Sequence, residues 1–359
     1  MSRVFFAILL GLASAASALA DPFVYDRQEV VEGTHLIYRV DPMRLPAESN
    51  VVVIEQSGGL AVVDSGGSTM AGERIIAQIR QISDAPVRYL VNTHWHGDHH
   101  LGNAAFLAAW PEIEIIAHEN TVRHIAGAAM DYIHEAGEQL EASRPVVDAV
   151  AATGALPDGT VIPARIAEYY TMLAGDLDEL IAAVDTIEII APTRHFSDRL
   201  VLDDRMRPVE LRYFGRGNTD GDAVVWMPEQ RVVASGDLVV HPTPYGFGSY
   251  PADWIEALEA IRALDYAYLI PGHGAVQPDT AYVDQLIALM AEVRAQVGPL
   301  AEAGLSLEEV RAEVDLSAQQ SLFAQGDAWI ANRFNAWWVT PFVGVAYQEA
   351  TGDPILQGE

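Results

Sequence analysis

The sequence predicts an α/β protein in which two sheets pack face to face with helices on the outside. Strands alternate with helices up to about residue 118, and strand-like segments return after residue 186. An Ala-rich helical pattern separates these two strand-rich blocks. Hydrophobic residues make up 50% of the chain, so it can bury a large core and is not predominantly disordered.

The first block reads as a hairpin followed by alternating helices and strands. Its β-branched runs flank a Gly-Gly pair, which predicts the hairpin. Apolar residues at Ile75, Ile76 and Ile79 have helical spacing. The predicted elements are strands over 51–54, 60–64, 87–91 and 113–117, and helices over 69–82 and 101–110.

An inserted helical region is predicted over 119–183, broken at Pro145, Gly154 and 157–159. A helix is predicted over 253–263, and a mostly helical C-terminal extension over 280–359 packs on the same domain. In that extension, aromatic residues at helical spacing predict core packing. The strands of the second block are predicted over 186–190, 199–202, 209–214, 223–227, 231–234 and 266–270.

Residues 1–20 have the features of a secretory signal peptide. Arg3 precedes an apolar stretch, and Ala18 and Ala20 are small residues at the positions that signal peptidase reads. An uncleaved anchor is the alternative, but the apolar stretch is shorter than the roughly 20 residues of a membrane span. Cleavage predicts a periplasmic or secreted protein with no stable membrane span, whose main domain covers 21–279.

Composition limits the partners and the chemistry. The formal net charge is -29, and all 21 basic residues are arginine. This charge argues against nucleic acid or an anionic membrane as the main partner, because both carry phosphate. The absence of cysteine excludes disulfides, thiolate nucleophiles and cysteine-ligated metals. These limits agree with a small-molecule substrate, which the resemblance described below implies, and the sequence leaves the oligomeric state open.

A histidine-rich segment directly follows the strand over 87–91. His94 and His96 lie two residues apart, so an extended backbone points both imidazoles the same way. Gly97 allows a sharp turn that brings Asp98 and His99 toward the same space. Such nitrogen and oxygen ligands suit two adjacent metal ions. A solvated polar loop is the alternative, which the clustering after a buried strand disfavours.

This segment resembles the His-x-His-x-Asp-His hallmark of the metallo-β-lactamase superfamily of hydrolases. Further landmarks of that family follow in order: Asp64 after an early strand, Asp237 in a Gly-Asp turn and His273 in a Pro-Gly-His-Gly loop. The resemblance covers about residues 51–274. It implies an αββα sandwich with a helical insert, holding one or two divalent metal ions. Zinc is the first expectation, with manganese or iron as alternatives.

The resemblance also implies roles for individual residues. Asp237 would bridge the two metals, and Asp64 would orient a ligand by hydrogen bonding. Asp98 would hold the attacking water and carry its proton. The implied metal ligands are His94, His96, Asp98, His99, Asp237 and His273.

One loop, over 215–222, departs from the family pattern. Where the family has a third histidine of the first site, this chain has Asn218. Asn218 either binds metal through its amide oxygen, lies behind the ligands, or leaves the first site empty at ordinary metal levels. His100 and His241 are candidate replacement nitrogens, but supporting roles are expected for both.

The function implied is metal-dependent hydrolysis, in which a metal-bound hydroxide attacks the carbonyl of an ester, thioester, lactone or β-lactam. A non-catalytic metal- or ligand-binding protein on the same fold is the alternative, and Asn218 favours it. An iron-dependent oxidoreductase ranks last, because no flavin-binding companion domain is recognisable in the sequence. The helical insert is predicted to cover one side of the cleft.

Overall fold

The structure is a computed structural model that describes residues 22–357, so the predicted signal peptide lies outside the described residues. These residues form one sheet of seven strands and one of five. The strands are β1 (Tyr25–Val31), β2 (Thr34–Arg39), β3 (Val51–Gln56), β4 (Gly59–Val63), β5 (Val87–Val91), β6 (Glu114–His118), β7 (Arg194–Phe196), β8 (Arg199–Leu202), β9 (Val209–Tyr213), β10 (Ala223–Met227), β11 (Val232–Ala234) and β12 (Tyr268–Ile270).

Helices cover the outer faces of both sheets. A π-helical segment, Phe334–Val339, joins the last two helices. The α-helices are α1 (Thr69–Ile82), α2 (Gly97–His100), α3 (Asn103–Ala109), α4 (Glu119–Ile125), α5 (Ile133–Thr153), α6 (Ala164–Val184), α7 (Pro251–Arg262), α8 (Ala281–Glu302), α9 (Leu307–Glu313), α10 (Ser317–Ala324), α11 (Ala328–Arg333) and α12 (Thr340–Thr351).

The first sheet follows chain order from β1 to β7. Its first four strands pair antiparallel, and β4 to β7 pair parallel. The β1–β2 hairpin was not predicted from the sequence. Most of β1 is exposed and polar, so it lacks the alternation of apolar residues that marks a half-buried strand.

Strand β4 shows how the layers form. Ala61 and Val63 face the second sheet, whereas Leu60 and Val62 face α1. All four side chains are buried, because successive residues of a strand point to opposite faces and both faces are covered. A continuous apolar run therefore specifies a strand in the middle of the sandwich.

The second sheet has the order β12-β11-β10-β9-β8, and only its β11–β12 pair is parallel. Its outer face packs against α7, α8 and α12. Trp254 is fully buried there. Phe334, Trp338 and Phe342 of the C-terminal extension are also fully buried, in agreement with the prediction of aromatic core packing, whereas Trp337 is only partly buried. With α1 and α3 on the first sheet, the layers are α, β, β, α, which confirms the predicted fold class.

The region predicted as a helical insert contains α4, α5 and α6, and α5 packs along α6. Pro145 does not break this region as predicted, because it lies inside α5. The strand predicted over 186–190 is also wrong. Ile187 and Ile189 lie in irregular chain and pack against a small apolar cluster beside the insert. Within residues 22–357, no helix has the length and apolar character needed to span a membrane.

Candidate metal centre and cleft

The predicted ligands lie at one edge of the sandwich, beyond the ends of parallel strands. β4 ends before Asp64, and β5 ends just before His94. In the other sheet, Asp237 follows β11 and His273 follows β12. Because β4 pairs parallel with β5 and β11 with β12, the carboxyl ends of each pair meet at the same edge. Such an edge is where ligands bind in α/β folds.

One group of ligand atoms comprises His94, His96 and Asp237, whose nearest ligand atoms all lie within 4.8 Å of one another. His94 Nε2 is 3.8 Å from Asp237 Oδ2. Both side chains are buried, and His96 is partly exposed to the cleft. These residues can hold one metal ion.

The second group comprises Asp98, His99 and His273, also within 4.8 Å of one another. Asp98 Oδ2 lies 3.0 Å from His273 Nε2 and 3.5 Å from His99 Nε2. The two histidine Nε2 atoms are 3.3 Å apart. Three donor atoms that converge this closely can hold a second ion.

Asp237 reaches both groups. Its Oδ1 lies 3.2 Å from His99 Nε2 and 3.5 Å from His273 Nε2, while its Oδ2 faces His94. Gly272 makes this position possible, because a Cβ atom there would collide with Asp237 Oδ1. The carboxylate therefore has the placement that a bridging ligand needs.

Asp64 fixes two neighbours from behind the site. Its Oδ2 lies 2.7 Å from His99 Nδ1, and its Oδ1 accepts the Thr93 backbone N–H at 2.8 Å. Asp64 has a φ of 63°, a left-handed conformation that non-glycine residues rarely adopt. These hydrogen bonds hold the strained residue in place.

Thr93 is a positioning residue that the sequence reasoning missed. Its hydroxyl donates to Asp64 Oδ2 at 2.9 Å and lies 3.0 Å from His94 Nδ1. With its proton committed to Asp64, the hydroxyl accepts from the Nδ1–H of His94, which leaves Nε2 free for a metal. Its position directly before His94 is the sequence feature that could have identified this role.

Charges at the site compensate one another. Burial lowers the pKa of His94 well below its usual value. Burial acts on His273 in the same direction, but the carboxylates of Asp237 and Asp98 raise its pKa to about 9. In return, His273 and His99 hold the pKa of Asp237 well below its usual value against the effect of burial. Metal binding must replace these protons.

Asn218 is fully buried in the loop before β10. Its Nδ2 donates to the backbone oxygen of Tyr245 at 2.8 Å, and its Oδ1 has no hydrogen-bond partner. Asp222 shapes this loop by accepting both the backbone N–H and the hydroxyl of Thr219. The amide is therefore fixed with its oxygen free.

The donor set fits a divalent metal. Buried polar atoms normally have hydrogen-bond partners, yet His94 Nε2 and Asn218 Oδ1 are buried without one. A metal ion would satisfy such atoms, and imidazole with carboxylate oxygen is a common zinc ligand set. The orphaned oxygen of Asn218 makes it a candidate oxygen ligand.

A cleft of about 1210 Å³ opens beside the metal ligands. His96, Asp98 and Asp237 form part of its wall. No arginine lies among the described residues that line it, and its other walls are rich in aromatic side chains. These are Trp95, Tyr132, Tyr245, Phe247 and Trp337.

The C-terminal tail also reaches the cleft, which the sequence did not predict. Gln357 Oε1 accepts from Trp95 Nε1 at 3.2 Å and from the Asp220 backbone N–H at 3.1 Å. Its Nε2 donates to the backbone oxygen of Gly248 at 2.6 Å. One side chain thus joins three loops around the metal ligands.

His100 and His241 are not brought into either ligand group. His100 Nε2 contacts the backbone oxygen of Trp95 at 3.0 Å, and burial lowers the pKa of His100 to about 4. The His241 ring packs against Tyr282. Both residues therefore shape the surroundings of the site.

The fold and the site together define a class of protein: an αββα sandwich with two adjacent groups of His and Asp ligands at one edge. The sequence matches the profile of the metallo-beta-lactamase superfamily over residues 44–273, and the chain belongs to that superfamily. This confirms the resemblance seen in the sequence.

Individual relatives differ in their activities. A linear primary-alkylsulfatase of Pseudomonas sp. (strain ATCC 19151) is 24% identical over 262 residues, which are 68% of this chain and 45% of that protein. A metallo-beta-lactamase type 2 of Bacillus cereus is 32% identical over 74 residues, 19% of this chain and 29% of that protein. The chain thus spans less than half the length of these relatives.

Solved structures support the fold. The stereoselective inverting sec-alkylsulfatase Pisa1 from Pseudomonas sp. matches with a TM-score of 0.62 and 15% identity, covering 92% of this chain and 50% of that one. A double mutant of the sec-alkyl sulfatase PisA1 matches with a TM-score of 0.63 and 16% identity, with the same coverage. At this identity the likeness concerns the fold alone.

Proposed function

We propose that this member of the superfamily is a metal-dependent hydrolase of small molecules that carry a carbonyl ester, thioester, lactone or β-lactam. One observation carries the proposal: two ligand groups share Asp237 in the wall of a cleft large enough for a small-molecule substrate. Zinc is the metal we propose, because imidazole and carboxylate dominate the donor set.

A bound divalent metal lowers the pKa of water to about 7 and polarises a carbonyl oxygen. Asp98 is the residue placed to move a proton. Its carboxylate lies in the cleft wall, and in the metal-free protein His99 and His273 hold its pKa below the usual value although burial acts to raise it. In the zinc-loaded protein the positive charge of a bound ion would take the place of those protons and keep Asp98 ionised, so that it can accept a proton from the attacking water. Asp64 and Thr93 keep the histidine rings oriented.

The cleft favours a reacting group without negative charge. Anions such as sulfate are usually bound by arginine or lysine, and neither lines the cleft among the described residues. Asp131 adds a further acidic group to the wall. A neutral carbonyl ester needs no such cation, so it ranks first.

Hydrolysis of an alkyl sulfate ester is the second candidate. The similarity to a linear primary-alkylsulfatase over 68% of this chain supports it. A non-catalytic metal-binding role remains the alternative, supported by the replacement at Asn218. We also propose export to the periplasm or medium, on the features of residues 1–20.

The test is a panel of substrates offered to the zinc-loaded protein. It comprises p-nitrophenyl acetate, a thioester, a lactone, a β-lactam and hexyl sulfate. We expect turnover of carbonyl substrates that a chelator abolishes and added zinc restores, and that His96→Ala removes. Turnover of hexyl sulfate alone would favour the second candidate. Stable zinc binding without any turnover would favour the non-catalytic role.

A further inference from the structure

A second recess, of about 210 Å³, opens next to the main cleft. It lies between the start of the described chain, the loop before β3, and helices α5 and α6. Ala47, Gly97, Asp98 and Tyr132 line both the recess and the cleft. The rest of the recess wall includes Phe23, Glu48, Ser68, Leu101, Ala136 and Leu140.

The recess offers few free polar groups. One oxygen of the Glu48 carboxylate, Oε2, already accepts the Tyr25 hydroxyl at 2.9 Å and the Gly67 backbone N–H at 3.0 Å. The Ser68 hydroxyl caps α1 by accepting the backbone N–H of Ala71. Apart from Asp98, the rest of the wall is mainly aliphatic or aromatic. A wall that is mainly apolar favours an apolar ligand, because binding removes apolar surface from water.

The recess meets the cleft at Asp98, the residue that we propose as the proton acceptor. Asp98 belongs to both walls. Tyr132 stands between the two spaces, with its hydroxyl directly over Gly97, where any Cβ atom would collide with it. A ligand that fills the recess therefore ends beside Asp98.

We propose that this recess binds an unbranched aliphatic chain of the substrate, so that the scissile group of an aliphatic ester lies beside Asp98. A water molecule occupies about 30 Å³ of liquid, and a methylene group is of similar size, so the recess holds roughly seven carbons. The inference rests on the proposed function and deepens it, because it names medium-chain aliphatic esters as the substrate class.

The test measures kcat/KM of the zinc-loaded protein for p-nitrophenyl esters from acetate to dodecanoate. We expect a rise of about fourfold per added methylene group, up to about octanoate, and no further gain beyond it. A flat series, or one that continues to rise to dodecanoate, would overturn the inference.

Ala136→Phe fills the recess from α5. We expect it to lower the octanoate-to-acetate ratio of kcat/KM at least tenfold. Ala142→Phe is the matched control, because Ala142 is an exposed residue of the same helix that does not line the recess, and its ratio should equal that of the wild type. If Ala136→Phe does not fold, Leu140→Trp blocks the same space.

Binding of 1-octanol, measured by calorimetry on the metal-free protein, separates this inference from the proposed function. Octanol binding to the wild type and to Ala142→Phe, but not to Ala136→Phe, supports the recess even if no ester is hydrolysed. Hydrolysis of acetate and octanoate at equal efficiency, with no octanol binding, would reject the recess while the proposed function stands.

Discussion

The metal-ligating histidines are oriented by side chains that are not ligands. Thr93 joins His94 to Asp64 through one hydroxyl group, and Asp64 in turn contacts His99. A buried hydroxyl thus connects one residue of each ligand group. Such supporting hydrogen bonds fix the ring orientation and the tautomer, on which metal affinity depends.

Thr93→Val keeps the shape of this side chain and removes its hydroxyl. We expect metal affinity to fall about 10- to 100-fold, because the His94 ring loses the acceptor at Nδ1. Competition with a chromogenic chelator measures the affinity. Thr34→Val is the control, since Thr34 is also fully buried and hydrogen-bonded, through Gln230, but lies on β2. Equal metal affinities of the two variants would contradict a positioning role for Thr93.

At the level of elements, the ligands lie on the loops that follow strands, and the loop between β9 and β10 depends on one acid. Asp222 is buried and accepts two hydrogen bonds from Thr219. Burial raises the pKa of Asp222 from 3.8 to about 8. The loop that presents Asn218 is therefore built around a carboxyl group that is protonated at neutral pH.

This raised pKa predicts a pH dependence of stability. Between about pH 4 and pH 8, Asp222 binds a proton in the folded state and releases it on unfolding, so its contribution to the free energy of unfolding falls as the pH rises. Asp222→Asn mimics the protonated form. In urea denaturation of the metal-free protein, we compare the free energy of unfolding of the variant with that of the wild type. We expect this difference to shift in favour of the variant by more than about 2 kcal/mol as the pH rises from 5 to 8. A difference that does not change with pH would contradict this assignment.

Sequence patterns predicted those elements whose signal is local. The helix Thr69–Ile82 has its predicted bounds, because an amphipathic pattern and a Ser68 cap both mark it. The segment over 186–190 has the same apolar character as a strand but packs as irregular chain, which periodicity does not distinguish. The recess and the role of Gln357 escaped prediction because they depend on contacts between distant parts of the chain.

At the scale of the whole molecule, the net charge of -29 and the lining of the cleft both disfavour anionic ligands. A strongly negative protein repels anionic ligands at long range. At short range, no arginine lies among the described residues of the cleft wall to attract them. A divalent cation, in contrast, is attracted to the site by the same field. The acidic composition therefore favours metal uptake and uncharged substrates together.

Two metal ions per chain are the expected composition of the zinc-loaded protein, although the resemblance seen in the sequence implies an imidazole at the position of Asn218. Asn218 Oδ1 is buried without a hydrogen-bond partner, while Nδ2 donates to the backbone oxygen of Tyr245. The amide oxygen is therefore available as a metal ligand. Elemental analysis after dialysis against zinc measures the content, and Asn218→Ala should lower it to about one. Asn120→Ala, which removes a hydrogen bond to the same loop at Asp220, should retain two. One ion per chain in the wild type would mean that His94, His96 and Asp237 do not hold a metal without a third imidazole.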